Sequence, residues 1–111
     1  MKISPNLINL MEQNDVLMFY KGKMADTSAR CGFIVCPYAE DKLAMTAEDA
    51  YKIAQEYNQT CTISRYANGT YRVKPAFWFI FRDNAEKYGK REYGRYAIID
   101  QASGQVDIYN K

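Results

Sequence analysis

The sequence predicts an α+β fold, with a mainly antiparallel sheet of about five to seven strands, a helix packed on one face and a short N-terminal helix. Three observations predict it. Two stretches space their apolar residues as helices do. Most of the remainder reads as apolar runs of strand length. The strands come in runs rather than alternating strictly with helices, which favours α+β over α/β. The 111 residues suit one domain spanning 1–111. Within it, 1–44 supply a helix and two strands, and 45–111 supply a helix followed by antiparallel strands.

The first helix opens at Ser4-Pro5, with Ser as N-cap and Pro at the first helical position. Leu7, Ile8, Leu10 and Met11 give it an apolar face, and Asn14 stops it. Residues 16–20 (Val-Leu-Met-Phe-Tyr) predict a buried strand, Lys21 to Arg30 a polar loop around Gly22, and Gly32 to Tyr38 a second strand. Pro37 marks the end or edge of that strand. The clearest helix starts at Thr46, where Asp49 completes a capping-box spacing. Ala47, Ala50, Ile53, Ala54 and Tyr57 then share one face, and the small alanines predict close packing on the sheet.

Residues 60–66 and 70–74 flank Ala67-Asn68-Gly69. A two-residue Asn-Gly turn would pair Ile63 with Lys74 and mix the faces. A three-residue loop with Gly69 left-handed pairs Ile63 with Val73 and Arg65 with Tyr71. Thr62, Ser64, Tyr66, Arg72 and Lys74 then share the second, mixed polar face. Ala76 to Phe81 (Ala-Phe-Trp-Phe-Ile-Phe) has no polar alternation, which predicts a central strand covered on both faces. Arg82 to Glu92 is a charged connection. Residues 93–100 and 105–109 form a last hairpin, with Asp100 opposite Gln105; Ala97, Ile99, Val106 and Ile108 align on one face and Tyr96, Ile98, Asp107 and Tyr109 on the other.

The chain has no His, and so lacks the commonest general base and metal ligand. Three Cys cannot form a complete disulfide framework. Cys31 and Cys36 lie five apart on an expected strand, about 16 Å from each other and on opposite faces, beyond disulfide reach. The three thiols read as small core hydrophobes. No G-x-S-x-G elbow and no phosphate-binding glycine motif occurs. The pairs Glu40-Asp41 and Glu48-Asp49 fall in a loop and a helix first turn. These residues predict a non-enzymatic protein with no cofactor and no metal. No stretch approaches the ~18 apolar residues of a membrane span and no signal peptide is evident, so a cytoplasmic protein without membrane association is expected.

Charge is uneven. Residues 1–59 carry six basic and eight acidic groups, whereas residues 60–111 carry nine and five. Arg65, Arg72, Arg82, Lys87, Lys90, Arg91 and Arg95 interleave with Tyr66, Tyr71, Tyr88, Tyr93 and Tyr96. Tyr and Arg are enriched at protein interfaces, and a basic-aromatic sheet face can also hold single-stranded nucleic acid. No RRM, KH or helix-turn-helix signature accompanies them. The candidate partner-binding residues are Tyr66, Arg72, Lys87, Tyr88, Lys90, Arg91 and Tyr93.

From Met45 to Tyr109 the chain combines the capped T-A-E-D-A-Y-K-I-A helix, the aromatic A-F-W-F-I-F strand and the final Y-A-I-I-D-Q-A-S-G-Q-V hairpin. That order resembles small PepSY-like domains and the immunity protein 35 family of bacterial toxin-neutralising proteins. In those families a similar helix packs on a sheet whose last hairpin carries a D-x-x-[ST]-G-type turn, here Asp100-Gln101-Ala102-Ser103-Gly104. Where the immunity family carries a G-N-x-P-type segment, this chain has Tyr93-Gly94-Arg95-Tyr96. The resemblance implies a small bacterial or phage protein that inhibits a toxin or other effector by binding it. The sheet face and the 82–95 connection would then plug a partner's acidic or nucleic-acid-binding surface. A single-stranded nucleic-acid-binding module is the alternative.

Overall fold

The computed structural model describes residues 3–24, 31–36, 38–57, 59–85 and 94–110, with the backbone alone at 31, 32, 35 and 110. Its elements run α1 (Pro5–Gln13), β1 (Val16–Tyr20), β2 (Lys23–Met24), β3 (Cys31–Val35), β4 (Lys42–Ala44), α2 (Ala47–Glu56), β5 (Thr60–Arg65), β6 (Tyr71–Phe81), a 3₁₀ turn (Arg82–Asn84), β7 (Arg95–Ile99) and β8 (Val106–Asn110). The strands form one mixed, mostly antiparallel sheet of eight, with the helices packed against it, an α+β fold.

Both helices begin where local chemistry says they should. The Leu7 N–H donates to Ser4 Oγ at 3.2 Å, and Pro5 occupies the first turn. Asn14 ends α1 by donating its backbone and side-chain N–H groups to Leu10 O at 3.1 and 2.8 Å. In α2, the Asp49 N–H donates to Thr46 Oγ1 at 3.1 Å, and Glu48 and Asp49 lie at the positive end of the helix dipole. Ala47, Ala50 and Ala54 are buried, and their small side chains let α2 sit close to the sheet. Under it lie Phe19, Cys61, Ile63, Tyr71 and Val73, joined by Ile3 and Met11 from the α1 region. The Phe19 ring meets Tyr51 of α2 edge-on, at 6.4 Å between centroids.

The β5–β6 hairpin has the register that a three-residue loop dictates: Ile63 opposes Val73 and Arg65 opposes Tyr71. Gly69 takes φ +85°, which an L side chain resists. Asn68 Oδ1 tightens the loop by accepting from the N–H and hydroxyl of Thr70. The last hairpin also closes as expected, with Ala97 opposite Ile108, Tyr96 opposite Tyr109, and the Asp100 N–H donating to Gln105 O.

β6 is the axis of the molecule. Its first half is flanked by β5 and β4, and its second half by β7 and β3. Residues 70–74 and 76–81, expected as separate strands, join into one strand through Pro75. The Cys36 N–H donates to Pro75 O at 3.0 Å. In a strand the N and O of one residue face the same edge. Proline's missing donor therefore points at the junction between β3 and β4, where it costs no ladder bond. On the opposite edge, Thr60 marks the changeover from β5 to β7, its buried hydroxyl donating to Ala76 O and lying 3.2 Å from Arg95 O.

The sheet also changes its buried side at Pro75. Tyr71 and Val73 face the helices, whereas Ala76, Trp78 and Ile80 are buried on the opposite face, with Met18, Phe33 and Tyr96 around them. Phe77, Phe79 and Phe81 remain partly exposed on the helix-side face. The expectation that 76–81 is covered on both faces is met unevenly: the Trp78 side is sealed, and the Phe77, Phe79 and Phe81 side is covered only in part. The reason is reach, because the ten residues of α2 span only the half of the sheet built from β1, β4, β5 and the start of β6.

Two short strands went unpredicted. Lys21 and Gly22, at φ +50° and +81°, form a tight turn that returns β2 onto β1. β4 exists by pairing with β6 rather than through any pattern of its own. The second strand, expected over 32–38, is displaced to Cys31–Val35. β7 runs parallel to β6, and the 82–94 connection has the dozen or more residues that a parallel return requires.

Of the expected core thiols, Cys61 is fully buried, Cys36 is half-buried and the Cys31 side chain lies outside the described residues. Burial pushes the Cys61 thiol from 9.0 up to about 12. Burial also raises Tyr57, with the negative charges of Cys61 and Asp41 adding to the effect. A folded-state pKa above the unfolded value means stability complete below the unfolded pKa and lost as pH rises through the folded one. The unfolding free energy from urea melts is thus expected to fall between pH 9 and about 12, by on the order of 1 kcal/mol per pH unit. Cys61→Ala should flatten that fall when urea melts are compared on either side of pH 9; an equally steep fall in the variant would remove Cys61 as its cause.

Candidate functional site

On the face opposite the helices, strand register aligns four residues from four strands. Leu43 of β4 opposes Arg72 of β6, Arg72 opposes Ser64 of β5, and Ser64 opposes Val16 of β1. Tyr66 lies diagonally beside Arg72, because the Tyr66 N–H donates to Thr70 O across the hairpin. Leu43 is 57% exposed, Val16 37% and Tyr66 41%. This is a mixed apolar, aromatic and cationic surface carried on paired strands, and so held at fixed spacing.

Arg72 is its centre. The guanidinium carbon lies 4.9 Å from the centre of the Tyr66 ring, a cation–π arrangement. One guanidinium nitrogen is 3.7 Å from Asp41 Oδ2, and Lys74 Nζ is 3.7 Å from Asp41 Oδ1. Asp41 therefore sits between two cations. The Arg72 side chain is 43% exposed, although its Nε is enclosed without a hydrogen-bond partner. The stem is fixed and the fork is open to solvent.

Tyr66 and Arg72 thus come together as their shared face predicted. Lys87, Tyr88, Lys90, Arg91 and Tyr93 lie outside the described residues. The other basic and aromatic residues of the second half scatter. Tyr71 is buried under the helices. Arg65 points to the helix side of the sheet, opposite Tyr71. Arg95 lies over Phe77 on that same side, 3.8 Å from the ring centre. Tyr96 stacks on Tyr109 at 5.1 Å. Among the described residues, interleaving along the chain therefore does not make one patch.

Leu43, Val16 and Asp41 were missed by sequence reasoning. The first two join the face only through the pairing of β4 and β1 with their neighbours. Asp41 joins through the turn into β4, and nothing local to it signals the contact.

Asp100 and Asp107 are structurally engaged. A depression of about 310 Å³ is lined by Arg82, Asp83, Asp100, Gln101 and Ala102. In it, Arg82 donates to Asp107 and lies 3.7 Å from Asp100 Oδ2. Asp100 Oδ1 accepts from the Ala102 and Ser103 N–H groups at 3.0 and 3.2 Å. This is a clamp on the last hairpin turn. Among the described residues, no group of three or more His, Cys, Asp or Glu gathers as metal ligands would, and no helix is long and apolar enough to cross a membrane. No protein-family model matches the chain, and no curated protein or solved structure matches it.

Proposed function

We propose that the protein acts by binding another protein through the helix-free face around Tyr66 and Arg72. Its most concrete form is an inhibitor of the immunity type, which neutralises a toxin or other effector by occupying its surface. The observation that carries this is the Arg72–Tyr66 stack set in one row with the exposed aliphatics Leu43 and Val16. Arg and Tyr recur as interface hot spots, and apolar neighbours exclude water around them. The exposed Arg72 fork suits a partner carboxylate, which a guanidinium meets with two hydrogen bonds.

Two features favour a protein over single-stranded nucleic acid. Asp41 lies between the two cations that would meet a phosphate. Leu43 and Val16 offer a base neither stacking nor charge. The reading expects one protein to be recovered in stoichiometric amount on the immobilised wild-type chain and lost with Leu43→Lys, the variant being checked for an unchanged circular dichroism spectrum. A toxin partner should lose its activity at one equivalent. A partner retained by the variant would overturn this surface. Binding to single-stranded oligonucleotides that weakens steeply with salt, with no protein recovered, would replace the reading by the nucleic-acid one.

A further inference from the structure

The strand order ends at β8, whose outer edge meets no strand among the described residues. Exposed edges are normally blunted by Lys, Pro or a bulge. β8 reads Val-Asp-Ile-Tyr-Asn and pairs with β7 without a bulge; it has no Lys and no Pro, and its one charge, Asp107, is paired with Arg82. The hydrogen-bond alternation gives each residue's direction. The Asp100 N–H donates to Gln105 O, so Asp107 and Tyr109 turn their backbone groups to β7. The N–H and C=O groups of Val106, Ile108 and Asn110 point outward. The side chains of Val106 and Ile108 are each 48% exposed, beside Ala97 and Ile99 of β7 and beyond the reach of the helices.

We propose that this edge pairs antiparallel with β8 of a second copy of the chain, about a two-fold axis at Ile108. Three symmetric registers form four or more backbone hydrogen bonds between the outward groups. Centring on Asp107 sets the two Asp107 carboxylates face to face, which like charges disfavour. Centring on Tyr109 leaves Val106 unpaired and forms four backbone hydrogen bonds by the antiparallel pattern. Centring on Ile108 pairs Val106 with Asn110 of the second copy, Ile108 with its equivalent, and Asn110 with Val106, for six such bonds. In that register each Asp107 opposes a Tyr109 of the other copy, so an acceptor meets a phenol donor on both sides of the axis. The exposed Val106 and Ile108 side chains also become one apolar strip across the junction. A five-residue strand pair is a small interface, below the ~1,200 Å² of a standard one, so the dimer forms with rising concentration rather than obligately.

Light scattering over a concentration series is expected to show a mass rising from 12.9 kDa toward twice that value. The amides of Val106, Ile108 and Asn110 should gain hydrogen-exchange protection in step. Ile108→Lys brings two ammonium groups together on the axis and should weaken self-association at least tenfold. Its half-exposed site should leave the monomer folded. Under a mild copper oxidant, Ile108→Cys should form a disulfide-linked dimer, since opposed Cα atoms of a hydrogen-bonded pair lie about 5.5 Å apart. Val106→Cys, displaced from the axis, should not. A mass fixed at that of the monomer, self-association unchanged in folded Ile108→Lys, or equal cross-linking of the two Cys variants would each overturn the proposal. If Ile108→Lys fails to fold, the cross-linking pair decides. Partner binding at the Tyr66–Arg72 face lies on the other side of the sheet and is expected to survive Ile108→Lys.

Discussion

Trp78→Ala is expected to lower the unfolding free energy by about 3–5 kcal/mol, the usual cost of truncating a buried aromatic. Trp78 has no exposed surface and lies in the cluster with Met18, Ala76 and Ile80. A domain of this size holds roughly 5–15 kcal/mol in total, so the variant should be marginal at ambient temperature. The matched control is Phe79→Ala, one residue along the strand but on the partly exposed face. Its cost should be nearer 1–2 kcal/mol, because less apolar surface returns to water. Urea unfolding of both variants measures the difference. Equal costs would mean that β6 buries both faces alike, contrary to the change of side at Pro75.

Arg72→Glu is expected to weaken partner binding by about 2–4 kcal/mol, roughly 30- to 1,000-fold, the range of an interface hot spot. The change removes the cation stacked on Tyr66 and places a second carboxylate beside Asp41. Stability should move little, because an exposed ion pair is worth about 0–1 kcal/mol. Arg72→Lys keeps the charge but loses the planar fork, and should fall between the two. Lys52→Glu, the same charge change on the exposed side of α2, is the control that should leave affinity unaltered. Titration calorimetry with the recovered partner separates these outcomes. Equal losses from Arg72→Glu and Lys52→Glu would mean that net charge, not this face, governs binding.

Half of the candidate face was legible because it is built from a hairpin. Placing Ile63 opposite Val73 follows from the loop length and the hydrophobic pattern, and it puts Tyr66 and Arg72 on one side. The other half depends on β1 and β4, which arrive from distant parts of the chain. A three-residue strand such as Lys42-Leu43-Ala44 carries too little pattern to be seen, and its pairing with β6 comes from the fold. The same holds for Asp41, whose two cationic neighbours are remote in sequence. Charge counts also misled in one respect. Nearness of Arg and Tyr along the chain does not set the face, because successive strand residues point opposite ways.

The sequence by itself determined both helix starts, the two hairpin registers, the alternation along each strand and the α+β class. Each rests on interactions between residues close in the chain: caps, turn geometry and periodicity. Tertiary structure alone decided that Pro75 could lie inside a central strand, that the core changes sides there, and that β7 runs parallel to β6. It also decided which apolar strand residues stay exposed. Those outcomes depend on how far a ten-residue helix reaches across the sheet and on which strands happen to meet each edge of β6. Local sequence carries neither quantity, since both arise only when distant segments pack.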